Sequence, residues 1–241
     1  MKNKKGLEMY RLYQKNELNF AIFWIVIYCL ITSSIRGKFG DESFFMLIGL
    51  IFIAFSITFF INNHKLKEKY GLDKYPENSK RYLYFIPVWI LVTGNLWGGL
   101  NHVYSGISQV WSIISMLLIG YIEEIIFRGF LFKAIIEKDG AKKSIIIVAV
   151  TFGIGHIVNL FAGQASLETL AQVFFAIAWG FIMVVIFYKS KSLIPCIIAH
   201  GLIDAFSKFG VEGSFSQWIY IVATIIIAFF YCKYLLKLED K

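Results

Sequence analysis

Apolar runs close to membrane-spanning length recur along this chain, near residues 18–35, 43–62, 82–100, 108–130, 144–162, 168–188, 193–209 and 215–236. A helix rises ~1.5 Å per residue and the hydrocarbon layer of a bilayer is ~30 Å thick, so ~20 apolar residues make one crossing. No water reaches the backbone there, so each such run must satisfy its own N–H and C=O groups, which for a single apolar run means a helix. A soluble domain of 241 residues, 58% hydrophobic and only 17% charged, could not hide this much apolar surface. The expected fold is therefore an all-α integral membrane protein with about eight transmembrane helices in one bundle, residues 1–241 forming a single polytopic domain. The seventh run is short, and "TGNLWGG" interrupts the end of the third.

Charge gives the orientation. With the N-terminus in the cytoplasm and eight crossings, 21 of the 24 Lys and Arg residues fall on the cytoplasmic side, and only Arg36, Lys38 and Lys208 on the other. Basic residues are retained on the cytoplasmic side of membrane proteins, so a multi-pass cell-membrane protein with both termini inside is expected. The net charge of +8 is spread between apolar runs, which argues against nucleic-acid binding. Cys29, Cys196 and Cys232 are far apart and form no metal-binding or disulfide pattern.

Against this background a few ionisable residues stand out. "EEIIFRGF" puts Glu123, Glu124 and Arg128 inside the fourth run, His156 lies in the fifth, and His200 and Asp204 lie in the seventh. A charge near the bilayer centre costs at least ~2.5–3.5 kcal/mol on insertion scales, so such residues face a protein interior or a wet cavity and are functional candidates. Glu124 and Arg128 are four residues apart on one helix face and can pair, whereas Glu123 is rotated ~100° away and escapes that pairing. His200 and Asp204 share the same spacing, so the carboxyl can set the imidazole tautomer. Gly153 and Gly155 remove side chains beside His156 and permit close approach of a helix or a substrate. Depth along the runs lets all six meet in one polar cavity, expected to open toward the cytoplasmic side.

"EEIIFR", "FGIGH" and "HGLID", in this order on three hydrophobic helices, resemble the signature of the CPBP family. These are the CAAX proteases and bacteriocin-processing enzymes, also called the Abi family. The resemblance spans about residues 108–210, which would be the catalytic core, and implies an intramembrane endopeptidase. By that resemblance Glu123 and His156 activate a water, His200 and Asp204 hold the oxyanion, and Glu124 and Arg128 form an orienting pair. Asp204 departs from the Asn of many relatives, and an ionised Asp cannot donate to an oxyanion.

A metal-free glutamate mechanism with no cofactor is favoured. Two histidines and a glutamate (Glu123, His156 and His200) are the alternative zinc set, with an open position. The expected partners are the lipid bilayer and a peptide or membrane-protein substrate. Lys outnumbers Arg 20 to 4, a bias suggesting a bacterial source, where a bacteriocin or signalling-peptide precursor suits better than a prenylated protein. The competing reading is bacteriocin self-immunity or a regulatory membrane scaffold acting without proteolysis. A transporter is disfavoured because no inverted repeat is visible.

Overall fold

The computed structural model describes residues 4–76, 79–83, 86–161, 166–211 and 215–238. They form α1 (Lys4–Lys15), α2 (Glu17–Phe39), α3 (Phe44–Asn63), α4 (Ser79–Tyr82), α5 (Ile86–Val92), α6 (Gly106–Glu124), α7 (Phe132–Gly155), α8 (Val158–Phe161), α9 (Ser166–Ser190), α10 (Ile194–Ser207) and α11 (Phe215–Lys237). A π-helical stretch, Ile125–Leu131, joins α6 to α7, and a 3₁₀ turn, Gly94–Leu96, follows α5. Among the described residues there is no strand, only an isolated bridge between Leu100 and Gly210. The all-helical class expected from the apolar runs is what the chain adopts.

Local chemistry sets several boundaries. The Asn16 side chain accepts from the Asn19 N–H at 3.0 Å and opens α2, and the Ser43 hydroxyl caps Met46 at 3.1 Å to open α3. Gly140, at φ 73° and ψ 164°, breaks α7 where a residue with a Cβ would be strained. The chain turns back there. In a straight helix Phe127 and Phe152 would lie ~37 Å apart, yet their ring centroids are 5.2 Å apart.

Five described helical stretches are long and apolar enough to cross a membrane: Glu17–Phe39, Phe44–Asn63, Gly106–Leu160, Ser166–Ser190 and Phe215–Lys237. The third of these contains the expected fourth and fifth runs, folded against each other at Gly140. The expected third and seventh runs are shorter than anticipated, as Ile86–Leu96 and Ile194–Ser207. At ~1.5 Å per residue neither spans ~30 Å alone. The expected 82–100 run breaks at Gly94, which packs so tightly on the Tyr220 ring that an added Cβ would lie 2.0 Å from it. Tyr84 and Phe85, inside that run, lie outside the described residues. Outer faces are apolar: α3 contains no Asp, Glu, Lys or Arg, and its outward Phe52 and Phe55 are each 66% exposed. In a multi-pass membrane protein such faces meet lipid.

Inside, α9 packs on α7 and α11, α10 packs on α6, and α3 packs on α6. The α6–α10 contact depends on paired glycines. A Cβ on Gly120 would lie 2.4 Å from the Gly201 nitrogen, so the two backbones touch. Gly153 similarly admits α9, since its Cβ would meet Ile177 Cγ1 at 2.2 Å, but a Cβ on Gly155 would meet nothing within 4 Å. Of the two glycines singled out beside His156, Gly153 alone serves helix packing.

The connections sort to two ends of the bundle. At one end Lys69 pairs with Glu17, the Leu193 N–H donates to the Gly71 carbonyl at 2.8 Å, and Lys189 donates to the Leu238 carbonyl at 2.6 Å. At the other, the Val103 N–H donates to the Lys208 carbonyl at 3.2 Å, and Arg36 binds Asp41 at 2.6 Å and Asn159 at 2.7 Å. Each group gathers segments that share one end of the bundle.

Candidate active site

The glycine crossing of α6 and α10 places Glu123 and Glu124, about one turn beyond Gly120, beside His200, which immediately precedes Gly201. His200 is the centre of the group. Its Nδ1 lies 2.7 Å from Glu124 Oε1, and its Nε2 lies 3.6 Å from Glu123 Oε2 and 3.5 Å from Asp204 Oδ2. Three carboxylates from two helices thus surround one imidazole.

Glu124 and Arg128 pair at 3.0 Å between Oε1 and Nη1, with both side chains fully buried. A buried, ion-paired carboxylate accepts, so the proton of the His200–Glu124 bond sits on Nδ1. The sequence assigned the tautomer of His200 to Asp204. In the structure Asp204 faces Nε2 beyond hydrogen-bond length, and Glu124 takes Nδ1, because the α6–α10 crossing brings Glu124 closer than the helix repeat brings Asp204.

Arg128 lies in the π-helical stretch, every residue of which is buried. Such single π turns inside helices recur at functional sites because they rotate a segment without ending the helix. The Arg128 guanidinium stacks 4.3 Å over the Phe152 ring, and its Nη2 reaches the Gly180 carbonyl at 3.4 Å. Phe152 is the hub of the apolar wall. Its ring also packs edge-on against His156 at 5.3 Å and His200 at 5.6 Å. Phe152 opens the "FGIGH" motif, but nothing in its spacing marks it as the wall between two histidines.

His156 ends α7, and its Nδ1 meets the Phe152 carbonyl at 3.2 Å. A carbonyl only accepts, so Nδ1 carries the proton and the neutral ring keeps a lone pair on Nε2. Among the described contacts no hydrogen bond joins His156 to Glu123; His156 and His200 both pack against the Phe152 ring.

Tyr28, on α2, donates its phenolic hydrogen to Glu123 Oε1 at 2.7 Å. Sequence reasoning missed it. The available signal was its depth, eleven residues into α2, whereas membrane tyrosines are enriched at the interfaces.

Burial is graded across the group. The Glu124 and Arg128 side chains are fully buried, those of His200 and Glu123 are 5% and 12% exposed, and that of Asp204 is 24% exposed. The accessible edge is therefore at Asp204, toward the end of the bundle carrying Arg36 and Lys208.

The zinc alternative has a testable geometric requirement, three donors converging on one point at ~2.0–2.2 Å. Among the described residues no group of three His, Cys, Asp or Glu is arranged to hold a metal ion. His200 Nδ1 is engaged by Glu124 and His156 Nδ1 by a carbonyl, which leaves Nε2 as the nitrogen that each ring can turn toward a ligand.

Residues 105–206 match the family described as type II CAAX prenyl endopeptidase Rce1-like. The match covers all six site residues named from the sequence and bears out the resemblance read from the three motifs. No curated protein matches the chain.

Proposed function

We propose, from a segment 105–206 that carries the type II CAAX prenyl endopeptidase family match, that this multi-pass membrane protein is an intramembrane endopeptidase using Glu123 as its general base. The observation that carries the reading is the clustering of Glu123, Glu124 and Asp204 around His200, with Arg128 neutralising one carboxylate and leaving another free. A purely structural ion pair needs no third and fourth ionisable group. Buried charges are costly enough that extra ones imply a use.

In the proposed reaction a water on the Asp204 side of the group attacks the scissile carbonyl carbon. Its proton passes to Glu123 Oε2, the oxygen facing His200. The oxyanion that forms is held by the Nε2–H of a doubly protonated His200, whose Nδ1–H stays on Glu124 and keeps the ring in place. As the C–N bond breaks, Glu123 returns the proton to the leaving nitrogen, giving a carboxylic acid and an amine, and the acid then ionises by losing its proton to the amine or to water. His156, with its lone pair on Nε2, is the second proton carrier. Asp204 serves the rim and does not set the tautomer.

The substrate class is a peptide or protein segment held at or within the bilayer, cut near a terminus that reaches Asp204; a precursor peptide fits this description. Eight crossings with both termini cytoplasmic remain the proposed topology. On that orientation the accessible edge faces away from the cytoplasm, the reverse of the opening expected from depth alone. The test compares peptides released by cells expressing the wild-type chain or Glu123→Gln at equal protein level, read by mass spectrometry of new termini. At least one terminus should disappear with Glu123→Gln. Identical profiles would reject proteolysis by this glutamate.

A further inference from the structure

We infer that Tyr28 is a positioning residue that fixes which oxygen of Glu123 acts as the base, an inference resting on the reading of Glu123 as proton acceptor. Tyr28 lies on α2, outside residues 105–206, and reaches across 95 positions of sequence to the site. The residue is 6% exposed. A phenol at this depth needs a polar partner, because an unsatisfied hydroxyl in hydrocarbon costs on the order of 1–3 kcal/mol. Its partner is Glu123 Oε1 at 2.7 Å, the charge-assisted kind of hydrogen bond that is both short and directional.

A glutamate has three rotatable bonds, so helix geometry alone cannot aim its carboxylate. Arg128 aims Glu124, and nothing on α6 does the same for Glu123. The phenol occupies Oε1, which leaves Oε2 turned toward His200 Nε2 at 3.6 Å and the Asp204 side of the site. A water placed there meets Oε2 and not Oε1.

The approach of α2 is itself held. Two turns beyond Tyr28, Arg36 donates to Asn159 just past the end of α7 at 2.7 Å, and Asn159 donates to Gln172 on α9 at 2.8 Å. Arg36 is thereby committed to tying α2 to the segment that carries His156. Thr32 donates to the Tyr28 carbonyl at 2.7 Å and so leaves the phenol to Glu123. The matched segment supplies the reacting carboxylate, and a helix outside it supplies the aim.

Infrared difference spectroscopy in membranes tests this without a known substrate. The wild-type minus Glu123→Gln spectrum isolates the Glu123 carboxylate band. Tyr28→Phe, which keeps the ring and removes only the hydroxyl, should shift that band at unchanged folded level. Replacing Tyr28 by 3-fluorotyrosine, which keeps the hydroxyl and alters its acidity, should shift it again, and serves if Tyr28→Phe folds poorly. Peptide release by Tyr28→Phe should fall roughly 10- to 100-fold in kcat, as a misaimed base by ~1 Å implies, with KM changed less than about threefold. A Glu123 band unmoved in both variants overturns the inference. So does an undiminished kcat in Tyr28→Phe while Glu123→Gln is inactive, and that pattern leaves the proteolytic reading standing. Full activity of Glu123→Gln instead overturns the base assignment itself.

Discussion

Oε1 of Glu124 lies 2.7 Å from His200 Nδ1 and 3.0 Å from Arg128 Nη1, so a single buried oxygen organises a ring on α10 and a guanidinium in the π-helical stretch. Neither partner has another carboxylate within hydrogen-bond distance among the described contacts of the site. The consequences of changing each member differ accordingly.

Glu124→Gln removes the negative charge that both neighbours depend on. Breaking one side of a buried ion pair costs about 3–5 kcal/mol, because the remaining charge stays in the apolar interior. Folded protein in membranes should fall, and what folds should cleave poorly since His200 loses its orienting acceptor. Fluorescence-detected size exclusion with activity normalised to the folded peak separates the two effects.

Glu123→Gln should behave oppositely. Among the described residues no Lys or Arg pairs with Glu123, and an amide can still accept from Tyr28 and face His200 Nε2, so folded level should match wild type. Peptide release should drop by about 10²-fold or more, the contribution expected of a positioned general base. A drop in folded level equal to that of Glu124→Gln would contradict the separation of roles.

Asp204→Asn should retain activity within about tenfold, since Glu124 and not Asp204 holds the proton on Nδ1. The distance of 3.5 Å from Asp204 to Nε2 leaves room for an amide, which can donate to an oxyanion. Loss comparable to Glu123→Gln would return the tautomer role to Asp204. The rate of peptide release at matched protein level decides it.

Gly120→Ala should damage both stability and activity. The new methyl would sit 2.4 Å from the Gly201 nitrogen, a contact with backbone that no side-chain rotation relieves. Overpacking of this kind costs about 1–3 kcal/mol or more, and separation of α6 from α10 would carry His200 away from both glutamates. Gly155→Ala is the control, because nothing lies within 4 Å of its added Cβ and folded level should be unchanged. Thermal unfolding of the two variants in detergent is the measurement.

Orientation is checked with single cysteines replacing Lys67, in the 64–76 connection, and His102, in the segment before α6. With both termini inside, His102→Cys should react with a membrane-impermeant maleimide in intact cells, and Lys67→Cys should react only after permeabilisation. The reverse pattern would invert the bundle and turn the Asp204 edge toward the cytoplasm.

The sequence by itself determined the solvent and the secondary structure. Runs such as Phe44–Asn63, with no charged residue, can satisfy their backbone in hydrocarbon only as helices, whatever they pack against. It also determined the Glu124–Arg128 pair, because residues four apart share a helix face, and they still do where the π-helical stretch carries Arg128. Contacts of that local kind can be read without knowing the fold. The His200–Asp204 spacing was equally legible, yet it did not set the chemistry of the ring. Glu124, 76 residues away, reaches Nδ1 first because Gly120 and Gly201 let two backbones touch. The Tyr28–Glu123 bond and the place of Phe152 between two histidines depend likewise on how α2, α6, α7 and α10 cross. The lengths of α5 and α10 belong to the same class, since apolarity sets where a helix can lie but packing, as of Gly94 on Tyr220, sets where it stops. Helix periodicity places side chains along one element. Only the crossing of elements decides which oxygen meets which nitrogen, and that is a property of packed backbones with no trace in residue spacing.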